Sequence, residues 1–326
     1  VDYFSIEAHS ILNRCSSDRM PFTWTINPYR GCEFGCRYCY ARYTHEYMGL
    51  NDPDDFENRI YAKRDAARTL LRELTPDRLA GRAIALGTAT DPYQPAEARF
   101  GVTRSLLEVL ARAGGVRLSI TTKGHLIRRD IDLLQRVAAR GSLHVNITVT
   151  TVDAALARLL EFRAPTPEKR LAALRALRDA GIRAGVNIAP ILPDLTDTRE
   201  NLSAVIAAAR DAGATHVFAN TLFLKDLTRT RFFAFLQERF PYLLPRYERR
   251  YARSAFLGPA YKERVLALVA ELTQAHGIPD RPDLDAPATT HEAAARQLGL
   301  GFPAGPPVAP SPTGPVSPRA TPCIGG

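Results

Sequence analysis

Three of the five cysteines in this 326-residue chain, Cys32, Cys36 and Cys39, fall within eight residues. They lie in the run Asn27-Pro28-Tyr29-Arg30-Gly31-Cys32-Glu33-Phe34-Gly35-Cys36-Arg37-Tyr38-Cys39-Tyr40. A structural cysteine behaves as a small hydrophobe and has no reason to cluster, so the triplet reads as thiolate chemistry. Three sulfurs at C-x3-C-x2-C cannot pair off as disulfides without leaving one over. They can hold three corners of an iron–sulfur cube, whose fourth iron then lacks a side chain and stays open for a ligand. Gly31 and Gly35 let the loop take positive φ where it wraps a bulky inorganic core. The competing reading is structural zinc, with His45 six residues beyond Cys39 as the fourth donor of a Cys3His site. Zinc sites more often use paired C-x2-C knuckles, and the flanking segment has no second pair.

The triplet Cys32-x3-Cys36-x-Tyr38-Cys39 resembles the cluster signature of radical S-adenosylmethionine (SAM) enzymes. The longer run NPYRGCEFGCRYCYAR is similar to the branch of that family that contains spore photoproduct lyase, a DNA repair enzyme. The resemblance covers roughly residues 20–255. It implies a [4Fe-4S] cluster on Cys32, Cys36 and Cys39, with SAM on the open iron through its amino and carboxylate groups. One electron from the cluster then cleaves SAM to methionine and a 5′-deoxyadenosyl radical, which takes a hydrogen atom from substrate. A reductant protein of flavodoxin or ferredoxin type is implied as partner.

The elements that must position such a site follow a repeat. Thr23–Ile26 alternates as a short strand leading into the cysteine loop, and Ile60–Leu74 reads as containing a helix. Apolar strands are expected at 82–87, 116–121, 143–149, 184–189 and 215–219. Amphipathic helices lie between them, carrying Leu106, Leu107 and Leu110, then Leu171, Leu174 and Leu177, then Leu202, Val205 and Ile206. Thr166 followed by Pro167 is a helix start, and Asp197 with Glu200 has capping-box spacing. Near-continuous apolar strands alternating with helices mean a parallel sheet covered by helices. The expected fold is α/β, a six-stranded partial (βα)6 TIM-like barrel; the count comes from the strands and the partial barrel from the resemblance. The Rossmann alternative lacks a G-x-G-x-x-G after the first strand.

In parallel α/β folds the active site forms at the C-terminal strand ends. Those ends carry Gly87-Thr88-Ala89-Thr90-Asp91, Thr122-Lys123, Asn146 and Thr148, Asn187, and Asn220. Lys, hydroxyl and amide groups suit the carboxylate, ribose and adenine of SAM. The resemblance places Gly87, Thr88, Thr90 and Asp91 near the methionyl amino group, and Lys123 with the Asn146–Thr148 strand near the carboxylate and ribose. Tyr38 and Asn187 complete the expected cofactor set. Glu161-Phe162-Arg163-Ala164-Pro165-Thr166-Pro167 is similar to a segment of the same branch, with no role assigned. One position departs: Thr88 aligns where photoproduct lyases place a hydrogen-donating cysteine. A hydroxyl O–H is too strong to substitute, although Tyr93 offers a phenol nearby.

The chain carries 43 basic and 34 acidic residues, net +9, and is 45% hydrophobic. Between Lys225 and Arg264 ten basic residues face four acidic ones, interleaved with Phe232, Phe233, Phe235, Phe240, Tyr242, Tyr247 and Tyr251. A nucleic-acid partner is one explanation of that stretch. The other is a GC-rich coding bias, since only five of the 43 are lysines, with the aromatics as core or docking surface. No apolar run approaches the ~18 residues of a membrane span and no signal peptide opens the chain, so a cytoplasmic location is expected. Cys15, away from the triplet, reads as a free thiol. The expected division is an N-terminal extension (1–22), the barrel (23–225), a helical region (226–278) and a Pro-rich, disordered tail (279–326). Eleven of 24 prolines lie in that tail, along with Cys323 and a short helix near Thr289–Gly299.

Overall fold

Apolar runs of four to eight residues closed by glycine turns pair side by side in chain order. In the computed structural model the described residues are 1–17, 20–50, 52, 54–79 and 81–279. From residue 280 the expected tail, its helix and Cys323 lie outside them. The strands are β1 (Asp2–Ile6), β2 (Leu12–Arg14), β3 (Trp24–Ile26), β4 (Tyr29–Arg30), β5 (Arg59–Lys63), β6 (Ala83–Leu86), β7 (Arg117–Thr122), β8 (Ser142–Thr148), β9 (Ala184–Ile191) and β10 (Val217–Thr221).

The main sheet runs β10-β9-β8-β7-β6-β3-β2. All its pairs are parallel except β2 with β3, which is antiparallel. Among the described residues the sheet therefore has seven strands: the six expected, all parallel, and a seventh from the expected N-terminal extension. Leu12 is buried opposite Ile26, but three residues ending in Asn13 and Arg14 are too short to show a period. A second sheet runs β1-β5-β4. The helix expected within 60–74 spans Ala66–Glu73, and the residues before it form β5, whose Ile60 and Ala62 are buried by pairing with β1. Cys15, expected as a free thiol, is disulfide-bonded.

Helices Val102–Ala113, Ile131–Arg140, Pro167–Asp179 and Arg199–Asp211 cover the sheet with their leucine and valine faces buried. Thr166 caps the third, as expected. The fourth is capped by Thr198, whose hydroxyl accepts from the Asn201 amide at 3.2 Å, in place of the Asp197 box. Helices Asp226–Arg239, Leu244–Tyr251 and Pro259–Ala275 follow. Phe232, Phe235, Tyr247 and Tyr251 share one apolar cluster with Cys32, Phe34, Cys36 and Tyr38, so these aromatics are core beneath the cysteine loop. Much of the basic charge in this region is paired as well: Arg231 with Asp54 and Glu57, Arg246 and Arg250 with Asp194. No helix among the described residues is long and apolar enough to cross a membrane.

Candidate active site

Residues at alternate positions on all six parallel strands face one cavity of about 1610 Å³: Thr25, Ala85, Ser119 and Thr121, Asn146 and Thr148, Asn187 and Ala189, Ala219 and Thr221. Because both the first and the last parallel strand reach the same space, the sheet is curved around it. The i, i+2 rule of a strand thus supplies a polar floor from a sheet whose other face is apolar. Cys32, Cys36 and Cys39 form part of the wall, and all three thiols are free. The other expected residues, Tyr38, Gly87, Thr88, Thr90, Asp91, Lys123, Asn146, Thr148 and Asn187, line the same cavity.

The cysteine loop is fixed by contacts that do not involve sulfur. Thr90 Oγ1 donates to the Gly31 carbonyl at 2.5 Å, and Gln94 Nε2 donates to the same oxygen at 3.1 Å. Gln94 Oε1 accepts from the Glu33 amide at 3.0 Å, while Glu33 Oε1 accepts from Ala96 N at 2.6 Å. Arg42 Nη2 donates to the Cys36 carbonyl at 3.0 Å and also pairs with buried Glu57. Gly35 has φ +60°, and a Cβ there would overlap the Phe162 ring. Gly87 has φ +92°, and a Cβ would sit 2.6 Å from Pro92 Cδ and 2.7 Å from the Thr121 carbonyl. Both positions demand glycine twice over, by backbone and by space.

Each expected polar residue has a definite task in this frame. The hydroxyl of Thr90 is committed to the loop, and Thr88 Oγ1 accepts from Asn27 Nδ2 at 3.1 Å. Asp91 ties β6 to β7, accepting from Thr122 Oγ1 at 2.5 Å, Tyr93 N at 2.9 Å and Lys123 N at 2.7 Å. Burial raises its carboxyl, opposed by those bonds. Asn146 donates to Ser119 Oγ at 3.1 Å and accepts from His216 Nε2 at 3.0 Å, in a buried polar layer. Asn187 differs: its Oδ1 is buried with no hydrogen-bond partner among the described residues, and the residue lines the cavity. A buried polar atom left unpaired costs about 1–3 kcal/mol, so a ligand that donates there is favoured.

Charge is concentrated behind the cysteines. Glu161 accepts from Tyr38 and Arg170, and Arg170 also donates to the Thr148 carbonyl at 3.1 Å and the Pro165 carbonyl at 2.8 Å. Burial alone would raise the Glu161 carboxyl, but Arg170 and Lys123 outweigh it and hold it below its ordinary value. The Lys123 ammonium lies 5.6 Å from the Tyr38 ring centroid. Burial disfavours its charge, yet Cys36 and Glu161 hold its pKa above the usual lysine range. Burial pushes the Cys36 thiol up to about 12 against the pull of Lys123. A metal bound in this wall would deprotonate its thiol ligands outright.

Two sequence expectations fall here. His45 does not line the cavity: its Nε2 meets the Arg59 carbonyl at 3.1 Å and its ring packs on Phe56 and Tyr61. The structure therefore does not bring His45 to the cysteines as the fourth donor of a Cys3His site. Tyr93 packs against Gly124 at 2% exposure, away from the cavity, because the Asp91 turn directs it into the core. Sequence reasoning also missed the rim. Tyr40, Tyr47, Phe218 and Phe256 are exposed large hydrophobics that line the cavity, beside Arg30 and Lys262. The elements that bring them together are far apart in the chain, so no local motif announces them.

The family model of the radical SAM superfamily matches residues 26–206. An uncharacterised protein of Mycobacterium tuberculosis is 39% identical over 273 residues, 83% of this chain and 80% of that protein. An uncharacterised protein of Methanocaldococcus jannaschii is 32% identical over 178 residues, 53% of this chain and 62% of its own. A solved structure of a spore photoproduct lyase double mutant, with bound AdoMet and dinucleoside spore photoproduct, superposes with a TM-score of 0.58 at 14% identity. That match covers 84% of this chain and 79% of the other. At that identity the likeness is one of fold.

Proposed function

This chain belongs to the radical SAM superfamily and is an enzyme of it, and from that premise we infer that Cys32, Cys36 and Cys39 carry a [4Fe-4S] cluster beside a SAM site in the cavity. The observation that supports this most is the meeting of three free thiols and an unpaired Asn187 oxygen in one cavity floored by parallel strand ends. When bound, the cluster and SAM together supply a 5′-deoxyadenosyl radical for hydrogen abstraction from substrate. The chain's own residues do the rest. Lys123 offers a carboxylate partner, Asn187 an acceptor for a donor on SAM, and Thr148 a hydroxyl on the strand between them. Thr90, Gln94 and Glu33 hold the cysteine loop in place. The substrate enters past the rim and displaces water from a cavity that its aromatics help to dry.

The rim favours one substrate class over others as a second reading. Exposed rings beside Arg30 and Lys262 suit a partner with stackable bases and phosphates, as in single-stranded nucleic acid. One experiment tests both levels. Anaerobically reconstituted protein given dithionite and SAM is expected to release 5′-deoxyadenosine, and a short single-stranded oligonucleotide is expected to speed that release. Silence from a fully iron-loaded sample contradicts the enzymatic reading; release without stimulation contradicts only the nucleic-acid one.

A further inference from the structure

The Glu161–Pro167 segment has two faces, and only one of them serves the cavity. Glu161 points inward to Tyr38 and Arg170, while Phe162 and Arg163 turn outward. The Phe162 ring is half-buried and lies against Gly35, between the first two cysteines of the loop. Two guanidiniums lie over the ring, one of them (Arg163) also donating to the Glu57 carbonyl and Asn58 Oδ1, and a third is bound to the main chain of the same residue. Arg37 stands 4.9 Å and Arg163 4.8 Å from its ring centroid, and Arg158 Nη1 donates to its carbonyl at 2.6 Å. None of the three forms an ion pair among the described residues. The carboxylates nearby are already taken: Glu57 by Arg42 and Arg231, Asp54 by Arg231, Asp55 by Arg59, and Glu161 by Arg170. The result is a concentrated positive patch around one partly exposed ring, in contact with the outside of the cysteine loop. The opposite side of that loop is the cavity, where cofactor and substrate would sit.

We propose that the Phe162 patch is the docking surface for an acidic one-electron carrier protein of flavodoxin type. The proposal rests on the radical SAM reading for the need of an electron. The carrier's anionic flavin hydroquinone becomes the neutral semiquinone, the oxidised cluster gains that one electron, and no proton moves. Like charges left unpaired on a surface await a partner of opposite sign, and such complementarity governs encounter and its salt dependence.

The test is titration of a bacterial flavodoxin, in its oxidised form, against the intact protein. Binding is expected to weaken as salt rises, and the Arg158→Glu/Arg163→Glu variant to lose about tenfold or more in affinity. Arg158→Gln/Arg163→Gln should fall between, and the exposed Arg136→Glu on helix Ile131–Arg140 should bind as the parent does. With flavodoxin hydroquinone as reductant, 5′-deoxyadenosine release should drop in the Glu pair; with dithionite it should not. Unchanged flavodoxin affinity in the Glu pair, or an equal loss in Arg136→Glu, overturns the docking surface. Failure of the parent protein to cleave SAM with dithionite strikes the radical SAM reading instead, and leaves the binding result standing.

Discussion

Cys36→Ala is expected to lose the brown cluster and all 5′-deoxyadenosine release while keeping its fold. The expectation follows from how the loop is built. Its main chain is fastened by Thr90, Gln94, Glu33 and Arg42, and the Cys36 group that Arg42 holds is the backbone carbonyl, which alanine retains. Removing one thiolate leaves two protein ligands, too few to keep the cluster in place. Circular dichroism and melting temperature should therefore stay near the parent's while iron content and SAM cleavage collapse. A variant that keeps both iron and cleavage would show that Cys36 is not a ligand.

Arg170→Met should be the most damaging substitution outside the loop. Arg170 and Glu161 are each about 1% exposed and pair directly, with Tyr38 as a further donor to the carboxylate. Methionine fills much of the volume but leaves a buried carboxylate that has lost its ion-pair partner, with only Lys123 to offset its charge. Breaking such a pair costs roughly 3–5 kcal/mol, on the order of 10 °C in melting temperature for a chain of this size. The double variant Glu161→Leu/Arg170→Met removes the stranded charge and should recover a substantial part of that loss. Thermal unfolding of the two variants checks this, and a loss under about 1 kcal/mol in Arg170→Met would show that the pair is dispensable.

How much of this could be read from the sequence depended on how local each feature is. Metal ligands on one short loop are adjacent in the chain, so the cysteine triplet and its glycines were legible at once. The strand-end set was legible because a parallel sheet gathers its C-terminal ends, and every residue expected there lines the cavity. The seventh strand and the β1-β5-β4 sheet were not, since their short strands are fixed by distant partners: β1 pairs with β5, and the Leu12 amide of β2 donates to Glu73, 61 residues away. The rim was hidden for the same reason: Tyr40 and Phe256 meet one opening from opposite ends of the chain. Of the two readings of the aromatic, basic stretch after Lys225, a nucleic-acid surface or core, the structure commits Phe232, Phe235, Tyr247 and Tyr251 to the core and Arg231, Arg246 and Arg250 to carboxylates. The role of Glu161 was illegible because its partners Tyr38 and Arg170 are 123 and nine residues distant.

Three sulfurs and an open metal vertex are the centre of this account, and the iron itself reports them. Mössbauer spectra of the protein reconstituted with ⁵⁷Fe should show a four-iron cluster in which one iron, and only one, changes when SAM is added. Four irons indifferent to SAM, or a protein that takes up zinc and no iron, would contradict it.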